Sequence, residues 1–384
     1  MTNDPKVFIG VSIKCIIEKM NSNKYLEMQK LNINLSAPNK QSVWLMVTTI
    51  PGLEDIVLKE ASEKINVIEA EPRFGDVGGR VSLRIPENQV GEVFKLRSIE
   101  HIIQLIKVFE ISKGANGLNQ IYNGVYECEV PLGSTFRVTC ERVGEHEFTS
   151  IDVQRVAGQA LVDKYGRKVD LKNPETIVRV DVAYNLCIVG IQKTRTSLRI
   201  RYPRVFQHYS ALNPVIAYAM LRLAEVKPGD RVLDAFCGGG TIMIEAAQVW
   251  EDLDLLGIDI SSKIIEGAWR NSESAGVKDK VKFIVGDSRR LEKVLPANWK
   301  VDKVVSNLPF GIRSGRRKVI PEIYTEFLRS LKPFLRRESK LCLLTIHKKL
   351  METISEKLGY MVIESKQILY GGLQAWIILL KPEF

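Results

Sequence analysis

A regular alternation of strand-like and helix-like segments after Arg204 constrains the fold of this chain more than any other feature. Short apolar runs typical of buried strands alternate with amphipathic helical segments, and two last strands flank the turn at 370–372. The predicted strands are 231–236, 253–259, 281–285, 301–306, 341–346, 360–368 and 375–380, and the first helices are 241–250 and 262–275. This order predicts an open, mostly parallel α/β sheet that ends in an antiparallel hairpin and binds ligands at the carboxyl ends of its strands.

Two α+β segments precede this sheet. A βαββαβ-like order, with strands at 43–49, 81–85 and 101–111 and helices at 53–65 and 90–96, predicts a ferredoxin-like domain over 42–112. A second domain, 113–204, has predicted strands at 135–140, 177–184 and 185–192 and a helix at 151–165, for which Ser150 is the expected N-cap. Residues 1–41 have no strong pattern and are interpreted as an N-terminal extension, and the sheet domain occupies 205–384.

Composition restricts the partners of the chain. The 384 residues are 45% hydrophobic and 26% charged, which excludes a disordered or fibrous protein, and 55 Lys and Arg against 45 Asp and Glu give a net charge of +10. Such a surplus favours polyanions such as nucleic acid. The six cysteines form no Cys-x-x-Cys pair and no apolar run is long enough to cross a bilayer, so we expect a cytoplasmic protein without metal, disulfide or membrane partner.

The first strand of the sheet ends in a glycine-rich loop, D-A-F-C-G-G-G-T at 234–241, directly before a helix. Glycine lets a ligand approach the backbone closely, and a helix N-terminus favours negative charge. The next strand ends at Asp259, where a carboxylate accepts the hydroxyls of a ribose. The pair suits a dinucleotide or a nucleoside cofactor, and the alternative without a ligand is a tight turn with a helix-capping aspartate.

Met243 argues against a dinucleotide cofactor, because it occupies the position where a dinucleotide-binding fingerprint requires its third glycine. Asp287 follows the third strand and would bind an adenine amino group. Acidic residues after three successive strands suit S-adenosylmethionine, whose sulfonium is cationic and which carries no phosphate. The predicted cofactor-binding residues are Asp234, Phe236, Cys237, Gly238, Gly240, Asp259, Ile260, Asp287, Ser288 and Asn307.

The fourth strand ends in S-N-L-P-F-G at 306–311, which suits methylation of an amine on a base. Asn307 Oδ1 and the Leu308 carbonyl would each accept one amino hydrogen, and the nitrogen lone pair would then face the methyl group. Pro309 fixes the φ angle of the loop, and Phe310 offers a face on which the base stacks. Asparagine is not a base, so catalysis would come from positioning and electrostatics.

Two basic runs, 193–204 and 312–318, are candidates for contacts with RNA phosphates. The first has five basic residues and no acidic one, and the second directly follows the 306–311 loop. The alternative is a solvated, idle charged surface. The predicted RNA-binding residues are Arg195, Arg199, Arg201, Arg313, Arg316, Arg317 and Lys318.

Taken in this order, the motifs resemble those of class I S-adenosylmethionine-dependent amino-methyltransferases that act on nucleic acid bases. That family usually has Asp or Asn followed by Pro-Pro and an aromatic residue; here Leu308 replaces the first proline and keeps its carbonyl. The upstream half is similar to the THUMP RNA-binding domain with its ferredoxin-like partner. T-T-I-P-G-L-E (48–54), L-R-S-I-E-H-I-I-Q-L-I (96–106), R-V-G-E-H-E-F-T-S-I-D-V-Q-R-V-A-G (142–158) and V-D-L-K-N-P-E (169–175) carry that similarity.

Within this group, N-L-P-F-G and L-N-P-V-I-A-Y-A-M (212–220) are most similar to the tRNA guanine-6 N2-methyltransferases. The resemblance implies that the THUMP domain binds the tRNA 3′ CCA end while the acceptor stem reaches the active site; a monomer is expected. Relatives of this architecture modify guanine 10 of tRNA or ribosomal RNA, and both substrates stay open as alternatives. So do an RNA-binding protein with a vestigial cofactor domain and a Rossmann dehydrogenase.

Overall fold

The structure, a computed structural model, describes residues 33–34, 41–207, 211–311 and 317–383. In the described chain the strands are β1 (Ile33–Asn34), β2 (Ser42–Thr48), β3 (Glu69–Pro72), β4 (Arg80–Pro86), β5 (His101–Glu110), β6 (Thr135–Thr139), β7 (Arg142–Val143), β8 (Lys168–Val169), β9 (Thr176–Ala183), β10 (Leu186–Gln192), β11 (Arg231–Asp234), β12 (Asp254–Asp259), β13 (Val281–Val285), β14 (Val301–Asn307), β15 (Leu335–Thr345), β16 (Tyr360–Tyr370) and β17 (Leu373–Pro382). The α-helices are α1 (Glu54–Lys64), α2 (Val90–Val93), α3 (Asn116–Tyr126), α4 (Ser150–Tyr165), α5 (Pro214–Leu223), α6 (Thr241–Val249), α7 (Ser262–Ser274), α8 (Ile320–Leu331) and α9 (Lys348–Lys357).

These elements form two units. The first unit contains the described residues up to Leu45 together with Ile103–Lys193, and the second contains Met46–Ile102 together with the chain from Thr194 onward. We call Met46–Ile102 the small lobe and the chain from Thr194 onward the large lobe of the second unit. Most of the predicted N-terminal extension lies outside the described residues, and the predicted domain boundaries at 42, 113 and 205 stay predictions.

The sheet of the first unit has the strand order β5-β10-β9-β6-β8. β10 runs antiparallel to β5 and β9, whereas β6 runs parallel to β9 and β8. Apolar residues of α3 and α4 pack with these strands in one buried cluster. The predicted strands at 135–140, 177–184 and 185–192 are confirmed as β6, β9 and β10.

Helix α4 starts one residue earlier than the sequence predicts. Its N-cap is Thr149, whose hydroxyl accepts a hydrogen bond from the Asp152 N–H at 3.2 Å, while the Asp152 carboxylate accepts one from the Thr149 N–H at 2.9 Å. This reciprocal pair is a capping box. The prediction of Ser150 as N-cap was therefore wrong, because Ser150 already has helical geometry as the first residue of α4.

In the small lobe, strands follow the order β3-β4-β2, and β3 pairs antiparallel with β4. The predicted strands at 43–49 and 81–85 are confirmed as β2 and β4, and the predicted helix at 53–65 is α1. The predicted helix at 90–96 is limited to the single turn of α2. Strand β3 reads E-A-E-P, which lacks the apolar alternation that identifies a strand in a sequence.

The sheet of the large lobe has the strand order β13-β12-β11-β14-β15-β17-β16. The first five strands are parallel neighbours, and β17 is antiparallel to both β15 and β16. The predicted parallel sheet with one antiparallel strand is confirmed. The next strand in the chain, β12, lies on one side of β11, and the later strand β14 lies on its other side. The strand order therefore reverses at β11, and such sheets bind ligands at that point.

The two lobes of the second unit share one hydrophobic core. Leu53 and Ile56 of the small lobe are buried in the same cluster as residues of α5, α6 and the terminal hairpin, including Ile368. The Leu369 N–H donates to the Pro51 carbonyl at 3.0 Å, so a loop of the small lobe is hydrogen-bonded directly to β16.

Candidate active site

Four polar side chains lie at the carboxyl ends of four adjacent strands, which in sheet order are β13, β12, β11 and β14. Asp259, Asp234 and Asn307 are the last residues of β12, β11 and β14, and Asp287 follows β13 by two positions. Neighbouring strands are about 4.8 Å apart, so the row spans about 14 Å, enough for a nucleoside with an amino-acid tail. The structure therefore brings these four predicted site residues to one edge of the sheet.

The glycine loop between β11 and α6 faces this edge. Gly238 and Gly240 have φ angles of +51° and +81°, which glycine adopts without strain. A Cβ at Gly240 would lie 2.8 Å from Cζ of Phe283, whereas a Cβ at Gly238 would meet no described atom within 4 Å. Gly240 is thus required for packing, and Gly238 leaves open space beside the loop.

The Asp259 carboxylate is fixed by the backbone on both oxygens. The N–H groups of Gly238 and Ser261 donate to it at 3.2 and 3.0 Å. An ionised carboxylate has about four lone-pair sites, so two stay available. Their position beside the glycine loop suits the two hydroxyls of a ribose.

Asp234 is buried, with 1% of its surface exposed. Burial raises the pKa of its carboxyl to about 7, hydrogen bonds from Ser306 and the Phe236 N–H oppose that rise, and the negative charge of Asp259 adds to it. A carboxyl that is about half protonated at neutral pH is stabilised in its ionised form by a cationic ligand. This local chemistry fits a sulfonium or ammonium group and not a phosphate.

Asp287 is held by its neighbour Arg289, whose Nε and Nη2 donate to the carboxylate at 3.0 and 2.7 Å. This hydrogen bonding lowers the pKa of Asp287. The hydroxyl of the next residue, Ser288, donates to the Ala235 carbonyl, and the Ser288 carbonyl accepts a hydrogen bond from Ser330 at 3.0 Å. Ser288 is therefore placed as a support that ties the β13 loop to the β11 loop.

Apolar surface is exposed beside these carboxylates. Ile260 is 66% exposed, and Val285 at the end of β13 is exposed as well. A flat ring bound between the strand ends would cover such side chains. Phe236 is half-buried, whereas Cys237 is buried in the core and burial raises the pKa of its thiol well above the usual value. The thiol is thus inert, and Cys237 contributes to the loop through packing.

The S-N-L-P-F-G motif at 306–311, which begins at the end of β14, presents two open acceptors. Asn307 Oδ1 is buried, and within the described ranges no donor is bonded to it. The Leu308 N–H donates to the Leu344 carbonyl at 3.0 Å, but no described group donates to the carbonyl of Leu308 itself. Leaving a buried acceptor without a partner costs about 1–3 kcal/mol, so this arrangement suits a ligand that donates two hydrogens, as a primary amine does.

The next two carbonyls are already bonded. Tyr324 donates its hydroxyl to the Pro309 carbonyl at 3.0 Å, and His347 Nε2 lies 3.0 Å from the Phe310 carbonyl oxygen. The Phe310 ring meets the Tyr370 ring edge-on, with centroids 6.2 Å apart. Sequence reasoning missed Tyr324, His347 and Tyr370, since no motif marks them and their contacts depend on the folded sheet.

The predicted RNA-contacting cations are only partly described. Arg195 and Lys318 are exposed, and Arg199 is exposed with Glu100 as its nearest acid at 3.9 Å. These three side chains are available to a phosphate. The described residues do not include Arg313, Arg316 or the side chain of Arg317.

Arg201 is placed differently from the other arginines. Its side chain is 8% exposed, pairs with Glu245 of α6 and donates to the Arg97 carbonyl. Arg97 also pairs with Glu245, at 2.8 Å. The structure contradicts the prediction that Arg201 contacts RNA, because its guanidinium is committed to the junction between the two lobes.

The described ranges contain neither a membrane-spanning helix nor a cluster of metal ligands. None of the helices there is long and apolar enough to cross a bilayer. Over the same ranges, no group of three or more histidine, cysteine, aspartate or glutamate side chains is arranged to hold a metal ion.

Two protein families match separate parts of the chain. Residues 201–375 match the RMKL-like methyltransferase domain family, UPF0020, and residues 117–192 match the THUMP domain family. With the strand order and the row of acidic residues, these matches define the class: a Rossmann-like, S-adenosylmethionine-dependent methyltransferase that carries a THUMP domain.

Full-length relatives give the family. A tRNA (guanine(6)-N2)-methyltransferase of Thermus thermophilus is 34% identical over 347 residues, which cover 88% of this chain and 99% of the relative. Another, from Archaeoglobus fulgidus, is 30% identical over 367 residues, which cover 86% and 90%. The crystal structure of TrmN from Thermus thermophilus, at 33% identity, matches 88% of this chain and 99% of its own with a TM-score of 0.76. The chain belongs to the tRNA (guanine(6)-N2)-methyltransferase family.

These findings decide against two competing interpretations of the sequence. Met243, at the position of the third fingerprint glycine, is fully buried in the core, so the loop is not that of a dinucleotide-binding dehydrogenase. A vestigial cofactor domain is contradicted by membership of an enzyme family and by the open acceptors at Asn307 and Leu308.

Proposed function

We propose that this chain transfers a methyl group from S-adenosylmethionine to the exocyclic N2 amine of guanosine 6 in the acceptor stem of tRNA. The observation that carries the proposal is the pair of open acceptors, Asn307 Oδ1 and the Leu308 carbonyl, at the ligand-binding edge of the sheet. The names of the relatives that match nearly the whole chain support tRNA and guanosine 6 as the substrate.

Asn307 and Leu308 would act on the amine directly. The lone pair of a guanine amino group is delocalised into the ring, which makes the nitrogen a poor nucleophile. Two hydrogen bonds to these acceptors favour a pyramidal nitrogen whose lone pair points away from them, toward the methyl donor. No side chain needs to remove a proton during transfer, because the methylated amine is acidic enough to release it to water afterwards. Catalysis is then positioning and electrostatics.

The cofactor would be held by residues from three strand ends. Bound S-adenosylmethionine supplies a methyl group on a sulfonium sulfur, which is left as a neutral thioether. Asp259 accepts the ribose hydroxyls, Asp287 accepts from the adenine amine, and Ile260 covers one face of the adenine. Asp234, next to Asp259 in the row, balances the positive charge of the cofactor.

Access to guanosine 6 requires that the base leave its stack, which costs a few kcal/mol. Stacking on Phe310 and phosphate contacts from Arg195, Arg199 and Lys318 would offset that cost. We infer further that the THUMP domain binds the 3′ CCA end, so that the distance from that end selects the base. The match of residues 117–192 to the THUMP family supports this assignment.

We also infer that the chain works as a monomer in the cytoplasm. Its net charge of +10 suits a polyanionic substrate in solution, and the five described cysteines, which are all free, suit a reducing compartment. Light scattering of the purified protein with and without tRNA tests the monomer directly.

The substrate is tested with labelled S-adenosylmethionine and tRNA transcripts. N2-methylguanosine is expected in a transcript with guanosine at position 6 and is expected to be absent when that base pair is replaced by adenosine and uridine. A transcript changed at guanosine 10 is the matched control and should be methylated normally. Modification that follows guanosine 10 in place of guanosine 6 would contradict the proposal.

Asn307 variants test the chemistry. Asn307→Ala should lower the single-turnover rate by about 10²–10³-fold, as loss of one transition-state hydrogen bond does in other enzymes, with little change in cofactor affinity. Asn307→Asp keeps an acceptor at the same place and should retain more activity than the alanine variant. Equal rates for the wild type and Asn307→Ala would remove Asn307 from the site.

A further inference from the structure

We propose that Tyr324 and His347 are positioning residues that leave the Leu308 carbonyl as the open acceptor of the catalytic loop. The inference rests on the proposed function, because it concerns how the loop receives the guanine amine. Both side chains come from outside the motif: Tyr324 from helix α8, and His347 from the turn between β15 and α9. Each is bonded to a carbonyl directly after Leu308.

The direction of each hydrogen bond follows from the chemistry of the groups. The Pro309 carbonyl only accepts, so the single hydroxyl proton of Tyr324 is donated to it at 3.0 Å. Tyr324 also lies 2.9 Å from Thr345 Oγ1, and in that contact Thr345 must be the donor. Thr345 Oγ1 in turn accepts the main-chain N–H of His347 at 3.0 Å. The four groups form one directed chain that ends on the loop.

The His347 ring is fixed in the same way. The Phe310 carbonyl only accepts, so Nε2 of His347 carries the proton in that contact. The ring lies edge-on to Tyr324, with centroids 6.3 Å apart.

The loop needs these anchors because it contains a glycine, the residue that restricts backbone rotation least. Pro309 restricts its own φ angle, but Gly311 has a φ of +69°, a conformation from which the preceding peptide group rotates at little cost. A rotated loop would turn a different carbonyl toward the amine or move the Phe310 ring away from the base. Tyr324 and Thr345 are fully buried, so water does not replace the Tyr324 donor when its hydroxyl is removed.

The first test removes the Tyr324 hydroxyl. Tyr324→Phe should lower the single-turnover methylation rate about 10- to 100-fold, the size of effect expected from misplacement of a reacting group. Cofactor affinity should stay within about twofold of the wild type, because no cofactor contact changes. The matched control is Tyr360→Phe: its hydroxyl is also buried and donates to a main-chain carbonyl, that of Leu328, at 2.6 Å. This control should lose comparable stability and keep the wild-type rate.

The second test uses the two amide residues at His347. The amide nitrogen of glutamine overlies Nε2 of histidine, so His347→Gln keeps a donor toward Phe310 and should retain most of the rate. His347→Asn places its amide near Nδ1, too short to reach that carbonyl, and should be as slow as Tyr324→Phe. This pair also serves if the Tyr324 variant does not fold.

The outcomes separate the two hypotheses. The positioning role is supported if the wild type methylates guanosine 6, Tyr324→Phe and His347→Asn are slow, and the Tyr360→Phe control has the wild-type rate. The positioning role is overturned if the rate falls no further in Tyr324→Phe than in Tyr360→Phe and the two His347 variants have equal rates. The proposed function stands in that case. Failure of the wild type to methylate tRNA overturns the proposed function itself.

Discussion

At the scale of single residues, the raised pKa of Asp234 would couple cofactor binding to the uptake and release of protons. Its folded-state pKa is about 7, against 3.8 for an unperturbed aspartate. A raised carboxyl pKa contributes stability below pH 4, and that contribution is lost as the pH rises through 7. A cationic ligand beside Asp234 lowers its pKa again, so part of its proton is released on binding.

We therefore predict that cofactor binding at pH 7 releases about half a proton from the protein. Titration calorimetry in buffers with different ionisation enthalpies measures this number. Asp234→Asn should bind more weakly and release no proton at that pH. Binding whose heat is the same in every buffer would show that Asp234 does not meet the positive end of the cofactor.

At the scale of secondary-structure elements, helix α4 allows the stability contribution of a capping residue to be compared with that of its neighbour. Thr149→Ala removes the hydroxyl that accepts the Asp152 N–H and should lower the free energy of unfolding by about 1 kcal/mol. Ser150→Ala, one position further on, should change it by less than about 0.5 kcal/mol. Urea unfolding of the two variants makes the comparison, and a larger loss at Ser150 would contradict the assigned cap.

The strand ends could be read from the sequence because hydrophobic runs, glycines and acidic residues are local signals. Asp234, Asp259 and Asn307 each follow a buried run directly, and the geometry of a parallel sheet then places them at one edge. Helix α3 was missed because Gly117 and Gly124 weaken its signal. They are needed for close packing: a Cβ at Gly124 would lie 2.8 Å from Cε1 of Phe109.

Other features could not be predicted because they depend on partners distant in sequence. Arg201 lies in a basic run, which predicts a contact with RNA. In the structure it pairs inside the protein with Glu245, which is 44 positions away in the sequence. His347 reads as an ordinary histidine at the end of a strand until the Phe310 carbonyl, 37 positions earlier, is placed beside it. Composition and spacing carry no information about such pairs.

At the scale of the whole molecule, the junction of the small and large lobes requires a glycine at position 52. Gly52 has a φ of +98°, and a Cβ there would overlap the Gln367 carbonyl oxygen and lie 3.1 Å from the Ile368 Cα. Gly52→Ala should therefore cost about 2–3 kcal/mol of stability. Gly371→Ala is the control: its φ is also positive, but no described atom lies within 4 Å of the added Cβ, and about 1 kcal/mol is expected. Equal losses in thermal unfolding would show that the lobes do not meet as closely at Gly52.

The surface charge of the whole molecule should be visible in the salt dependence of tRNA binding. Neutralising Arg195 and Arg199 together should lower the slope of log affinity against log salt by about one to two, since each phosphate contact releases about one counterion. Lys278→Gln with Arg336→Gln is the control, because both side chains are exposed near the amino ends of β13 and β15, away from the strand ends that form the candidate site. A slope equal to that of the wild type in the first variant would mean that Arg195 and Arg199 face solvent in the complex.

The hydrogen bond between Leu369 and Pro51 has a consequence for synthesis of the protein. A ribosome makes the small lobe long before it makes β16; Lys366, which pairs with Asp55 at 2.9 Å, lies 311 positions further along the chain. Leu53 and Ile56 therefore stay without Ile368 and the other apolar partners of the terminal hairpin until translation is nearly complete, and exposed apolar surface makes an incomplete chain prone to aggregate. A premature stop codon before residue 360 would thus leave an early part of the chain, and not only its end, without a finished core.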